Sequence, residues 1–146
     1  MTDDRPASFL FEQFVGELLT SGYSFRFQAK GRSMFPTIQD GDILHVEPVI
    51  TRGPAVGQIV LLRKGEEFRA HRVVRKQGDS FVTRGDAGFE DDGEIPRGQI
   101  LGLVVAKQCS MTGRVVRFDT LAARVGFFLR ACRRRTAKFR DVFARN

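Results

Sequence analysis

The chain has 146 residues, 42% hydrophobic and 28% charged, a composition that favours one compact domain with a real core and excludes a disordered chain. Its net charge of +7 is unevenly spread: residues 1–116 hold 15 Lys plus Arg against 15 Asp plus Glu, and residues 117–146 hold 9 against 2. A neutral body with a basic tail argues against charge-driven function for the body, and no apolar run approaches the roughly 20 residues of a membrane-spanning helix.

In chain order, the acidic start Met1-Thr2-Asp3-Asp4-Arg5-Pro6 lacks the basic region and apolar core of a secretory signal, so the chain is expected in the cytoplasm, with peripheral contact at the inner face of the membrane as one reading of the basic tail. From Ala7 to Thr20, Leu10, Phe11, Phe14, Leu18 and Leu19 recur at near-helical spacing, and Ser21-Gly22 offers a stop. The period then changes to two: Phe25, Phe27 and Ala29 alternate with polar residues in a half-buried strand. Short strands are expected over 43–47 and 58–64, the second joined through Lys64-Gly65-Glu66-Glu67 to a strand over 68–76. Gly78-Asp79 turns into a strand over 80–84, and residues 85–97 read as a loop outside the core. The most apolar strand covers 99–108, and Thr112-Gly113 turns it into 114–118. The expected architecture is mainly β (α+β), an antiparallel sheet body over 25–117, an N-terminal helix within 1–24 and a basic amphipathic C-terminal helix over 118–146.

The chemistry centres on Gly31-Arg32-Ser33-Met34-Phe35-Pro36-Thr37-Ile38. A serine hydroxyl is a weak nucleophile and needs an adjacent base, a fixed rotamer and donors for a developing oxyanion. Gly31 permits an unusual backbone and Pro36 fixes φ beyond the serine, so such a loop can aim backbone N–H groups, that of Ser33 included, at one point. His71 lies mid-strand, and histidine is the side chain whose ordinary pKa, about 6.5, suits a general base near neutrality. The acidic loop then supplies Asp86, Asp91 and Asp92, any of which is able to hold the imidazole in the required tautomer. His45, on another strand, reads as structural. Cys109 and Cys132 stand apart without metal-ligand spacing and read as reduced thiols; neither a metal nor a cofactor is expected.

These segments resemble the type I signal peptidase and LexA-like serine peptidases. The similarity runs through Ser33-Met34-Phe35-Pro36-Thr37-Ile38, Gly41-Asp42-Ile43-Leu44, Gln58-Ile59-Val60, His71-Arg72-Val73-Val74, Thr83-Arg84-Gly85-Asp86 with Asp91-Asp92, and Ile100-Leu101-Gly102, in the family's order over roughly residues 25–106. The histidine followed by Arg-Val is similar to the endoplasmic-reticulum, archaeal and spore-former branch rather than the lysine-base members. The resemblance implies a serine endopeptidase with Ser33 as nucleophile, His71 as general base and Asp92 as the orienting acid. It assigns Asp86 to shaping the site and Asp42 to a turn. The implied partner is an extended signal or leader peptide, or the chain itself, bound along a sheet edge with small residues before the cut. Ala87-Gly88 stands where many members have asparagine, and Gly31 where some place a serine oxyanion donor, so oxyanion stabilisation falls to backbone amides. The family's N-terminal membrane anchor has no counterpart in residues 1–24, so a member without a spanning segment is expected.

A bland alternative is a non-catalytic LexA-like regulatory or peptide-binding domain, with Ser33 a turn residue and His71 a satisfied strand histidine. Residues 1–24 are too short for the helix-turn-helix that would accompany it. The tail places Phe118, Leu121, Val125, Phe128, Leu129, Cys132, Phe139 and Phe143 at mostly helical spacing among arginines. Two readings stay open: a helix in an anionic membrane interface, and a helix packed on the body. Nucleic acid is not an expected partner, because no stacking aromatics interleave with the arginines in a strand platform.

Overall fold

A computed structural model describes residues 7–49, 53–65 and 67–120, and the alternating apolar pattern of that stretch forms antiparallel strands. In chain order the elements are α1 (Ala7–Thr20), β1 (Phe25–Gln28), β2 (Ile43–Pro48), β3 (Ile59–Lys64), β4 (Glu67–Gln77), β5 (Ser80–Arg84), β6 (Glu94–Pro96), β7 (Ile100–Gln108) and β8 (Val115–Arg117). In space the order is β1-β2-β7-β3-β4-β5-β6, with β8 pairing the end of β7. The fold is mainly β, a curled antiparallel sheet with one α-helix among the described residues.

Strand β3 shows why the sheet has two cores. Ile59-Val60-Leu61-Leu62 is a continuous apolar run rather than an alternating one, and all four side chains are buried. Such a run is what a strand covered on both faces requires. Ile59 and Leu61 join Leu44, Val46 and Val104 in one cluster, which Val15 and Leu19 of α1 and Met34 and Ile38 of the loop after β1 complete. Val60 and Leu62 join Val73, Phe81, Ile95 and Ile100 in the other. At about 2 kcal/mol for each fully buried aliphatic side chain, these clusters dominate the apolar stabilisation.

Three expectations change. Helix α1 seats Val15 and Leu19, four residues apart on one face, while Leu10, Phe11 and Phe14 stay about half exposed; Phe11 meets Phe68 edge-on at 5.6 Å. The stretch 85–97 is not all loop: Glu94–Pro96 pairs with Ser80–Val82, and Ile95 is buried in the second cluster. One apolar residue between polar neighbours suffices, because a three-residue edge strand needs only one inward side chain. Phe118 does not open a helix; its N–H donates to Val105 O at 2.7 Å and its ring packs on the first cluster. The C-terminal helix expected beyond residue 120 lies outside the described residues. Among the described residues, no helix is long and apolar enough to cross a membrane.

Candidate active site

The loop between β1 and β2 is closed at its base by Ala29 N–H donating to Asp42 O at 2.8 Å and Gly41 N–H donating to Ala29 O at 2.9 Å. Gly31 has φ +88°, a left-handed conformation that costs other residues, and its N–H donates to Asp40 Oδ1 at 2.7 Å. The Phe35–Pro36 peptide bond is cis. Met34 and Ile38 drop into the first core cluster, which pins the loop and leaves Ser33 exposed between anchors.

Asp42 does more than shape a turn. Its carboxylate is fully buried and accepts from Lys107 Nζ at 2.7 Å, Gln39 N–H at 2.9 Å and Ser110 N–H at 3.0 Å, tying the serine loop to the end of β7. Burial alone raises its pKa, but the Lys107 ammonium and the two amides outweigh burial and hold the carboxyl below its ordinary value. A depressed native pKa contributes stability that is present above the unfolded value, about 3.9, and lost as pH falls through the native one. We expect Asp42→Asn to cost about 3 kcal/mol at pH 7, because Lys107 is left buried without its counter-charge. In urea titrations the difference from wild type should shrink below about pH 4; an equal gap at pH 7 and pH 3 would contradict this role.

His71 occupies the middle of β4, directly opposite Val60, and is only 6% exposed. Its Nε2 lies 3.1 Å from Ser33 Oγ and its Nδ1 lies 2.5 Å from Asp92 Oδ2. Asp92 is held by its backbone: its N–H donates to Thr83 O at 2.8 Å, and its carbonyl accepts from Lys64 Nζ at 2.9 Å. Thr83 Oγ1 donates to Asp92 Oδ2 at 2.7 Å.

The segment leaving β5 clamps the serine. Ala87 N–H donates to Ser33 O at 2.9 Å. A Cβ on Gly85 would stand 2.5 Å from Ser33 O and 3.2 Å from His71 Nε2, so glycine alone lets the chain pass this close to both. Asp86 turns away from the imidazole. It receives a two-pronged contact from Arg72, at 2.8 Å from Nε and 2.6 Å from Nη2, and the Thr37 hydroxyl at 2.6 Å. Arg72 Nη1 also donates to Gly57 O at 2.8 Å, so this pair braces the serine loop against β4. Asp91 faces outward to Arg84 at 2.5 Å and Arg75 at 3.6 Å.

Of the three acids left open by the residues themselves, Asp92 alone meets His71 among the described contacts, while Asp86 and Asp91 serve arginines. His45 sits on β2 opposite Arg26 and Ala106, and its buried Nε2 has no hydrogen-bond partner among the described residues. The sequence reading missed Thr83, Lys64, Thr37 and Arg72 as supports. Thr37, Thr83 and Arg72 stand inside motif segments, but a motif does not disclose which polar side chain turns inward.

An exposed serine on a pinned loop, facing a buried strand histidine that meets a carboxylate on its far side, is an arrangement suited to acyl transfer. No curated protein matches the chain. Residues 10–116, from within α1 through the serine loop and the acidic segment into β8, match the family model described as Peptidase S24-like, and with most of its length covered the chain belongs to that peptidase family.

Proposed function

We propose that the chain is a serine endopeptidase of the histidine-base type, in which Ser33 attacks, His71 moves the proton and Asp92 orients His71. The observation that carries this reading is the hydrogen-bonded series from Ser33 Oγ to His71 Nε2 at 3.1 Å and from His71 Nδ1 to Asp92 Oδ2 at 2.5 Å. With Nδ1–H donating to the carboxylate, Nε2 offers its lone pair to the Ser33 hydroxyl. As Oγ bonds to the scissile carbonyl carbon, His71 takes the hydroxyl proton, and it returns that proton to the leaving amine when the tetrahedral intermediate collapses. His71 then deprotonates a water that attacks the acyl ester, and the proton goes back to Ser33. The oxyanion is met by backbone N–H groups, Ser33's among them, because Gly31 supplies no hydroxyl.

The run His71-Arg72-Val73-Val74 supports the histidine-base assignment. An extended signal or leader peptide, or a segment of the chain itself, fits the resemblance as substrate. The nine Lys and Arg of residues 117–146 favour delivery to an anionic membrane surface. The deciding experiment uses the full chain with a fluorophosphonate probe and with a peptide library, each with and without anionic vesicles. A single modification at Ser33 and defined cleavage products, both read by mass spectrometry, are expected. Neither labelling nor cleavage under any condition would overturn the peptidase reading.

A further inference from the structure

Thr83 carries a hydroxyl at a fully buried position of the sheet. It lies on β5, between Val82 and Arg84 in sequence and directly opposite Val73 on β4. Valine would fill the same shape, and a buried hydroxyl costs stability unless it is bonded. Its bond goes to Asp92 Oδ2 at 2.7 Å, the same oxygen that lies 2.5 Å from His71 Nδ1.

The sheet register explains the meeting. Val73 follows His71 by two residues, so the two share a face of β4, and Thr83, opposite Val73, shares it as well. Thr83 and His71 are thus diagonal neighbours with the Asp92 carboxylate bridging them. The backbone of Asp92 is already fixed through Thr83 O and Lys64 Nζ, which leaves the rotation of its carboxylate as the remaining freedom.

Resting on the peptidase reading, we infer that Thr83 is a positioning residue whose hydroxyl locks the Asp92 carboxylate and thereby holds neutral His71 as its Nδ1–H tautomer. An oxygen that accepts the threonine proton from one side and faces Nδ1 on the other is an acceptor toward both, so Nδ1 carries the hydrogen. Nε2 then stays unprotonated and aimed at Ser33 Oγ. Without the hydroxyl the carboxylate turns, Nδ1 loses its fixed acceptor, and the imidazole exchanges into the Nε2–H form that cannot take the serine proton.

The test measures imidazole nitrogen shifts by NMR in the full chain at a pH where His71 is neutral. Only His45 and His71 contribute, and the signals missing from His71→Gln identify the second. Wild type and Thr83→Ser should hold His71 chiefly as Nδ1–H, while Thr83→Val and Thr83→Ala, which remove the hydroxyl with and without keeping the methyls, should give a mixture. On a cleavable peptide, kcat should fall about tenfold in both hydroxyl-less variants at unchanged KM, with Thr83→Ser within about twofold of wild type. In an Asp92→Asn background, Thr83→Val should cost nothing more, since it acts through that carboxylate. An unchanged tautomer in Thr83→Val and Thr83→Ala, or Thr83→Ser as impaired as they are, would overturn the inference. The nitrogen shifts need no substrate, so absence of turnover in wild type would count against the peptidase reading while the tautomer result still decides the role of Thr83.

Discussion

Alanine at Ser33 or at His71 should each lower kcat for peptide cleavage by about a million-fold, and the double replacement should lose no more than either alone. The reason is geometric. Ser33 Oγ and His71 Nε2 are 3.1 Å apart, and under the proposed mechanism they act as one unit, because without the base the hydroxyl stays protonated and without the hydroxyl the base has nothing to activate. The residual rate would come from substrate binding and the backbone oxyanion donors, neither of which the replacements touch. Stability separates the two variants. Ser33 is exposed, so Ser33→Ala should fall within about 0.5 kcal/mol of wild type. His71 is buried against the Asp92 carboxylate, so His71→Ala should cost about 2 kcal/mol by removing one of the two side-chain partners of Asp92 Oδ2 and emptying a buried position. Single-turnover kinetics with urea unfolding read both quantities, and losses that multiply in the double variant would mean that the two residues do not form a catalytic pair.

How much of this arrangement could be read beforehand depended on whether one residue's surroundings were local in sequence. Helix α1, the strands from β1 to β5, and β7 and β8 follow from apolar period and turn residues, which are properties of neighbouring positions. β6 escaped because its one inward residue, Ile95, is embedded among Glu94, Pro96 and Arg97, and three residues carry no period. The split of β3 between two cores was equally hidden, since a short apolar run does not say what covers each face. At the site, Ser33 and His71 stood out through their motif segments. Their supports did not, for physical reasons: Lys107 reaches Asp42 across 65 positions and Thr37 reaches Asp86 across 49, and such pairings exist only after strands are in register. The choice among Asp86, Asp91 and Asp92 hinged on the same thing. Arg72 and Arg84 draw the first two away from the imidazole, while the bond from Asp92 N–H to Thr83 O turns the third toward it.

That division of labour gives the second large effect. Asp92→Asn should reduce kcat by about a thousand- to ten-thousand-fold with little change in fold, because an amide at that position can present its NH2 to Nδ1 and favour the wrong tautomer. Asp91→Asn should leave kcat within about twofold and cost no more than about 0.5 kcal/mol, since it loses only solvent-exposed ion pairs with Arg84 and Arg75. Asp86→Asn should behave differently from both. It breaks the two-pronged contact from Arg72, whose side chain is 8% exposed, and weakens the tie to Thr37, so its main effect should be a loss of about 3 kcal/mol in stability. Any fall in kcat in Asp86→Asn should then follow from a displaced serine loop and be accompanied by a lower unfolding midpoint, whereas Asp92→Asn should lose rate while its midpoint holds. The three asparagine variants thus separate chemistry, surface charge and bracing in one comparison of kcat against urea midpoint. If Asp91→Asn were the variant that lost rate at unchanged stability, Asp92 would not be the residue that orients His71.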